Sequence, residues 1–424
     1  MGTSTKAALV KRKLRSSSTR KSKTLLQSHV SGKNDGVKKS TDPFYIKYYS
    51  GCIGMPVATG AMIASLALTL TILVGIVVFG VFVRKLKRQF LFSGQSLAPG
   101  TMSATGLSYI WDYMTKDGPF VAFVNAPVFP GALSSMFYFV ACVPGALLHI
   151  FQPDFAKPYK IQRTSSERKV PGNLVRHQVC DTLLHSLRNN FIFAVPGMVY
   201  QVIMRGPWMY YSHEHWGNHK QTNATEGSGE EALSQFLISN RICLLHCDGN
   251  VLFPNSAPSN CEFMVDLTVC LLVFDLSYHY WHRFHHLSRP LYRYIHRIHH
   301  EYHAPFVWVT QYEHFLELMA VALFSMAIPI CVGCHPLTEW VWLVLAVQLS
   351  VEAHTGYDFG FLDKIVCFKG RSIWGGTVHH DRHHELPMCN FQPFFTWFDY
   401  YYETDYNSVS QRRKKRVEKT ETKQ

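Results

Sequence analysis

The sequence predicts an all-α fold, a multi-span integral membrane helical bundle. Three observations predict it. The chain has 424 residues, of which 17% are charged and 47% hydrophobic; soluble proteins average about 25% charged. The stretch 57–83, "VATGAMIASLALTLTILVGIVVFGVFV", has no charge and exceeds the ~20 residues that a bilayer-crossing helix needs. The net charge of +13 gathers mainly at the two ends, as in the cytosolic tails of membrane proteins.

Taken in order, residues 1–45 form a basic, aromatic-poor arm: within 1–40, Lys6, Lys11, Arg12, Lys13, Arg15, Arg20, Lys21, Lys23, Lys33, Lys38 and Lys39 face the single acid Asp35. That composition predicts disorder. Residues 46–128 hold the first span and a connecting segment. Further apolar stretches fall at 129–151, 189–206, 262–281, 315–334 and 337–353, the last two forming a hairpin around "GCHPLTE". Six crossings place the N-terminal arm, the basic segment 157–170 and the basic tail 406–424 on the cytosolic side. Within 129–260, the loop 207–260 then becomes lumenal. It carries the sequon Asn223-Ala224-Thr225, which only a lumenal enzyme could glycosylate. One feature conflicts: "RKLKR" at 84–88 follows the first span on the predicted lumenal side. The eleven cysteines are scattered, some inside apolar runs, and form no disulfide framework. "CVGC" at 331–334 reads as packing. The first apolar run starts far from Met1, so no cleavable signal peptide is expected.

The histidines carry the chemistry. Residues 277–306 alone hold eight: His279, His282, His285, His286, His296, His299, His300 and His303. On a helix, His282 and His286 share one face. His296 pairs with His299 and His300 at i+3 and i+4, and His380 with His383 and His384 repeats that spacing. These clusters lie at the ends of apolar stretches. Neutral imidazole is the commonest metal ligand, and eight or more suggest two ions. A nitrogen-rich site without cysteine suits iron, and also zinc or copper. Asp275 lies in an apolar stretch, where an acid is expensive and points to function.

The pattern resembles the membrane fatty acid hydroxylase superfamily, whose members carry H-x-x-x-H, H-x-x-H-H and H-x-x-H-H boxes around a diiron site on the cytosolic side of the endoplasmic reticulum membrane. The stretches "TQYEHFLEL" (310–318), "GCHPLTEW" (333–340), "LSVEAHTGYDF" (349–359), "GGTVHHDRHH" (375–384) and "CNFQPFFTWFD" (389–399) most resemble its cholesterol 25-hydroxylase branch. The resemblance covers roughly 180–400. It places the catalytic region at 261–405. It implies His282, His286, His296, His299, His300, His380, His383 and His384 as the catalytic ligand set, His354 as a further ligand, and His314 as a candidate ligand. Asp275, Glu317 and Asp381 are expected to orient imidazole N–H groups. Two departures stand out. His213, His215 and His219 fall in the expected lumenal loop, away from the site, and "FDYYYETD" lacks the glycine that usually follows its first aspartate.

The resemblance implies hydroxylation of an unactivated C–H bond by a monooxygenase with two iron ions, for which zinc can substitute in preparations, and dioxygen as co-substrate. No G-x-G-x-x-G follows a strand, so electrons should reach it from NAD(P)H through a separate membrane reductase or cytochrome. The substrate is expected to be cholesterol or a related sterol, hydroxylated at C-25 of its side chain. Alternatives are C-4 methyl oxidation of a sterol, hydroxylation of a fatty acyl or sphingolipid chain, a metal transporter and a catalytically dead sterol sensor. A nucleic-acid partner is not expected, because basic runs beside apolar spans read as cytosolic tails.

Overall fold

The computed structural model describes residues 55–91, 106–119, 121–124, 129–162, 172–204, 256–360, 367–368 and 371–421. The N-terminal arm, Asn223, and His213, His215 and His219 lie outside the described residues. The long helices are α1 (Met55–Leu91), α4 (Phe129–Phe151), α5 (Gly172–Met204), α6 (Asn260–Leu287), α8 (Phe315–Val332) and α9 (Pro336–Ala353). Shorter pieces complete the chain: α2 (Gly106–Asp112), α3 (Val121–Val124), α7 (Arg289–Tyr294), α10 (Gly376–Glu385), α11 (Trp397–Tyr401) and α12 (Tyr406–Glu421). The 3-10 turns His296–Glu301 and Val307–Gln311 link α7 to α8. Among the described residues, the only sheet pairs Cys367–Phe368 with Arg371–Ser372.

Local signals set the helix ends. Ser259 caps α6, its hydroxyl accepting from the Glu262 N–H at 3.1 Å, in an S-x-x-E arrangement. Gly333, at φ 72°, ends α8 in the left-handed region that glycine adopts without penalty. Pro336 then opens α9 at a position where its missing N–H has no helical partner to lose.

The contacts at the helix ends define a bundle whose long helices alternate in direction. Near its start, α1 touches the C-terminal half of α6: Thr69 accepts from the Trp281 indole at 3.0 Å, and the Ser65 hydroxyl meets His285 Nε2 at 3.0 Å. Near its end, Lys87 pairs with Asp266 at 2.7 Å, and Arg84 donates to the Ile330 carbonyl. The start of α1, the C-terminal ends of α6 and α9, and the start of α8 therefore share one end of the bundle with the histidines. The conflicting "RKLKR" lies at the opposite end, where Lys87 is neutralised by a buried carboxylate and Arg84 by carbonyls at the end of α8. The main core lies between α6, α8 and α9, where Phe274, Trp281, Phe324 and Trp342 are buried. Gly80 allows α1 to approach α8, since a Cβ there would lie 2.5 Å from the Cys331 carbonyl oxygen.

Among the described residues, three helices are long and apolar enough to cross a membrane: Val57–Lys87, Phe129–Phe151 and Phe315–Val332. Their outward faces are apolar, with Met136, Val140, Val143 and Leu147 exposed along one stripe of α4. These helices coincide with three of the six stretches expected from the sequence. The other three coincide with α5, α6 and α9, which alternate with the rest but carry polar groups turned into the bundle. Asp266 and Asp275 on α6 and Glu339 on α9 are buried among neighbouring helices, so these helices need not be uniformly apolar.

Candidate metal centre

Nine buried histidines meet at one end of the bundle in two adjoining groups. His282, His286, His296, His300 and His383 form one; His299, His354, His380 and His384 form the other, and within each group the ligand atoms lie within 4.8 Å of one another. Helical geometry explains the division. Successive residues turn by about 100°, so i+4 lies about 40° to one side of i while i+3 lies about 60° to the other. In both H-x-x-H-H boxes, the i and i+4 histidines enter one group and the i+3 histidine enters the other. His296 and His300 join the five-histidine group while His299 crosses; His380 and His384 join the four-histidine group while His383 crosses. The division holds although His296–Glu301 is wound as a 3-10 turn. His354, at the C-terminal cap of α9, completes the smaller group.

The Nδ1 atoms determine how the rings present themselves. His282 Nδ1 faces the Phe391 carbonyl at 2.8 Å, His383 Nδ1 the Cys389 carbonyl at 2.6 Å, and His296 Nδ1 the Glu317 carboxylate at 2.6 Å. In the smaller group, His354 Nδ1 faces the Ser350 carbonyl at 2.7 Å and His384 Nδ1 the Tyr302 carbonyl at 3.1 Å. The backbone carbonyls only accept, as does the Glu317 carboxylate when a cation beside His296 keeps it ionised, so each Nδ1 carries the proton and donates it, leaving a bare lone pair on Nε2. These lone pairs converge. His282 and His296 bring their Nε2 atoms to 3.0 Å, and His300 and His383 to 3.1 Å. His354 Nε2 lies 2.9 Å from His380 Nε2 and 3.2 Å from His299 Nε2. For His282 and His296 neither Nε2 can donate to the other. Their approach is repulsive unless a cation lies among them. The buried His384 Nε2 has no hydrogen-bond partner at all, which is costly unless something binds it.

Burial pushes the ring pKa values down, with neighbouring imidazoles adding to the effect. His354 and His383 fall to about 4. His282, His286, His296, His299, His300, His380 and His384 are held well below the ordinary value. At neutral pH the rings are uncharged, the state that binds metal. An all-imidazole, water-shielded donor set fits iron, zinc or copper.

Other expected residues sit differently. His314 is in neither group; its Nδ1 accepts from the Leu316 N–H at 3.2 Å and caps α8. Glu317 does face an imidazole, that of His296. Asp275 faces none: it accepts from the Gln392 side chain at 2.5 Å and from the Phe394 and Phe395 N–H groups at 3.0 Å each. Asp381 accepts from Gln162 at 2.7 Å, and burial raises its carboxyl to about 6. Among the lone histidines, His279 stacks against Phe398 and Tyr402, His285 donates to the Trp281 carbonyl, and His379 donates to Asp399 at 3.2 Å.

Sequence reasoning missed Gln392 and Asp399, both fully buried. Asp399 accepts from the Phe391 N–H at 2.9 Å, the Gln392 N–H at 2.8 Å and the Thr404 hydroxyl at 2.7 Å. Burial alone would raise its carboxyl; these hydrogen bonds and His379 outweigh it and hold the group below the ordinary carboxylate range. Their signal was the run of polar residues within the otherwise apolar "CNFQPFFTWFD".

The fatty acid hydroxylase family model matches residues 267–404, which contain all nine clustered histidines. Among curated proteins, the chain is 28% identical to "Cholesterol 25-hydroxylase-like protein 2" of Danio rerio over 314 residues, 74% of this chain and 94% of that protein. It is 28% identical to "Cholesterol 25-hydroxylase" of Mus musculus over 305 residues, 71% of this chain and 83% of that one. With "Cholesterol 25-hydroxylase" of Homo sapiens the identity is 39% over 160 residues, 37% of this chain and 58% of that protein. No solved structure matches the chain. Apolar helices of membrane length, two histidine groups at one end of the bundle and the family match over the same segment all agree: residues 267–404 of this chain carry a fatty acid hydroxylase domain.

Proposed function

We propose that the chain is a membrane-bound dimetal monooxygenase that hydroxylates a sterol, with the side chain of cholesterol or a related sterol as its substrate. The observation that carries this reading is the convergence of Nε2 lone pairs from two histidine groups whose Nδ1 protons are already committed. His282, His286, His296, His300 and His383 would hold one ion; His299, His354, His380 and His384 would hold the other. Two iron ions bound there would supply the activation of dioxygen needed to attack an unactivated C–H bond. The overall conversion takes R–H, dioxygen, two electrons and two protons to R–OH and water.

The chain's own residues do the remaining work. Carbonyls of Phe391, Cys389, Ser350 and Tyr302 fix the ring orientations and tautomers. Glu317 accepts from His296 and makes its Nε2 a stronger donor. Phe391, whose ring centroid lies 5.4 Å from that of His286 and 5.9 Å from that of His383, helps to keep water out. We assign residues 261–405 as the catalytic region and the histidine end of the bundle to the cytosolic face of the endoplasmic reticulum. A separate membrane reductase or cytochrome would deliver the electrons from NAD(P)H, and the substrate would arrive through the bilayer. The names of the relatives support a sterol substrate.

The test is mass analysis of lipids extracted from cells expressing the wild type or His383→Ala. A monohydroxylated sterol found only with the wild type is the expected result, and its fragmentation would locate the carbon. Hydroxylated acyl or sphingoid lipids instead would keep the chemistry and overturn the sterol assignment. No difference, with an electron donor present, would overturn the hydroxylase reading.

A further inference from the structure

The five-histidine group has a support that the four-histidine group lacks. Two of its rings, His282 and His383, donate to carbonyls of Phe391 and Cys389 in the loop 389–399. The smaller group is anchored elsewhere, by Ser350 on α9 and by Tyr302. The loop has little regular structure before α11, so its carbonyls need some other means of staying in place. The backbone turns at Asn390, φ 55°, a left-handed conformation that asparagine tolerates. A buried chain of side chains then holds it. The Gln392 amide donates to Asp275 Oδ2 at 2.5 Å, and its Oε1 accepts from the Phe398 N–H at 2.6 Å and the Asp399 N–H at 3.2 Å. Asp275 Oδ1 accepts from the Phe394 and Phe395 N–H groups. Asp399 secures the Phe391 and Gln392 N–H groups. Asp275, Gln392 and Asp399 are all inaccessible to solvent, so a broken bond in this chain has no water to replace it.

We infer that Asp275, Gln392 and Asp399 form a clamp that positions the five-histidine metal site by holding the Cys389 and Phe391 carbonyls against His383 and His282. These are positioning residues, since none touches a ligand-bearing Nε2. The inference rests on the two-metal reading proposed above.

The bond pattern supplies a sharp test. Gln392→Glu sets a carboxylate oxygen against Asp275 Oδ2. Asp275→Asn sets an amide NH2 against that of Gln392. Asp275→Asn breaks the central bond outright, and Gln392→Glu breaks it at a pH where both carboxyls are ionised. The double change Asp275→Asn with Gln392→Glu restores it with donor and acceptor exchanged. The new amide at position 275 would keep its oxygen toward Phe394 and Phe395. The new carboxylate at position 392 would keep one oxygen toward Phe398 and Asp399, and the net charge is unchanged.

The measurement is total metal per chain, iron plus zinc, in full-length protein purified from membranes. Helix content and melting temperature are recorded beside it. The expected result is about two ions for the wild type, about one for each single variant, and about two again for the double variant. The clamp is overturned if either single variant keeps two ions, if both ions leave together, or if the double variant behaves like the singles. A wild type holding no metal would overturn the two-metal reading beneath it, and the clamp with it.

Discussion

Glu317→Gln isolates the contribution of one carboxylate to one metal site. Glu317 Oε1 accepts from His296 Nδ1 at 2.6 Å, and both side chains are fully buried. A hydrogen bond to a charged group contributes roughly 1.5–3 kcal/mol, and a neutral one roughly 0.5–1.5. Glutamine keeps an acceptor oxygen but loses the charge, so the net loss is about 1–1.5 kcal/mol. That corresponds to roughly a tenfold weaker affinity at the site containing His296. Glu317→Leu also leaves the His296 N–H unpaired, and should reach the upper end of the roughly 10–100-fold range for such supporting partners. The assay is chelator competition on purified protein, with retained metal measured against chelator concentration. Two release steps are expected, with only one of them shifted in the variants. Superimposable curves for Glu317→Leu and wild type would refute the reasoning. So would an equal shift of both steps, since Glu317 contacts only one group.

Three further outcomes follow from the same geometry. His299→Ala removes the one ligand that the second box sends to the four-histidine group; it should abolish hydroxylated product and cut metal toward one ion per chain, while carbonate-resistant membrane insertion persists. Asp381 has its carboxyl raised to about 6 by burial, against about 3.9 in the unfolded chain. The folded state thus binds more protons between those values, and stability falls as pH rises through that window. Asp381→Asn should therefore flatten the dependence of melting temperature between about pH 4 and 6, and should not lower stability at pH 7.5; a loss of stability there would contradict this account. Gly80→Leu should force α1 away from Cys331, lowering the melting temperature while leaving metal per chain near two; an unchanged melting temperature would show that the close approach is dispensable.

Some of this was legible in the sequence. The ligand-rich boxes could be read because H-x-x-x-H and H-x-x-H-H encode a shared helix face by spacing alone. Cations at the chain's ends set only an expected orientation, and at 84–88 the buried Asp266 that pairs with Lys87 could not be foreseen from the local sequence. The partition of each H-x-x-H-H box between two sites was hidden. It depends on where a second helix stands when the i+3 ring points away. Among the described residues, α6 is less apolar than a lone span would be, and its Asp266 and Asp275 are satisfied by Lys87 and Gln392, neighbours that only the folded bundle supplies. His314 looked like a ligand because it is a histidine near the boxes; the start of α8 uses it as a cap instead. Asp275 was rightly singled out as costly, yet its partner is a loop more than 110 residues later, which no spacing rule could connect. Gln392 and Asp399 had no periodic signature, since they brace a segment that is only partly helical.

The central claim is that this chain inserts an oxygen atom from dioxygen into a membrane lipid. Its most direct test is isotope labelling. Membranes containing the wild-type protein and an electron donor are incubated under oxygen-18 gas in ordinary water, and the hydroxylated lipid is analysed by mass. The account predicts one labelled oxygen atom in each product molecule, and no product from His383→Ala membranes. A product whose oxygen comes from water, or one formed equally without dioxygen, would contradict it.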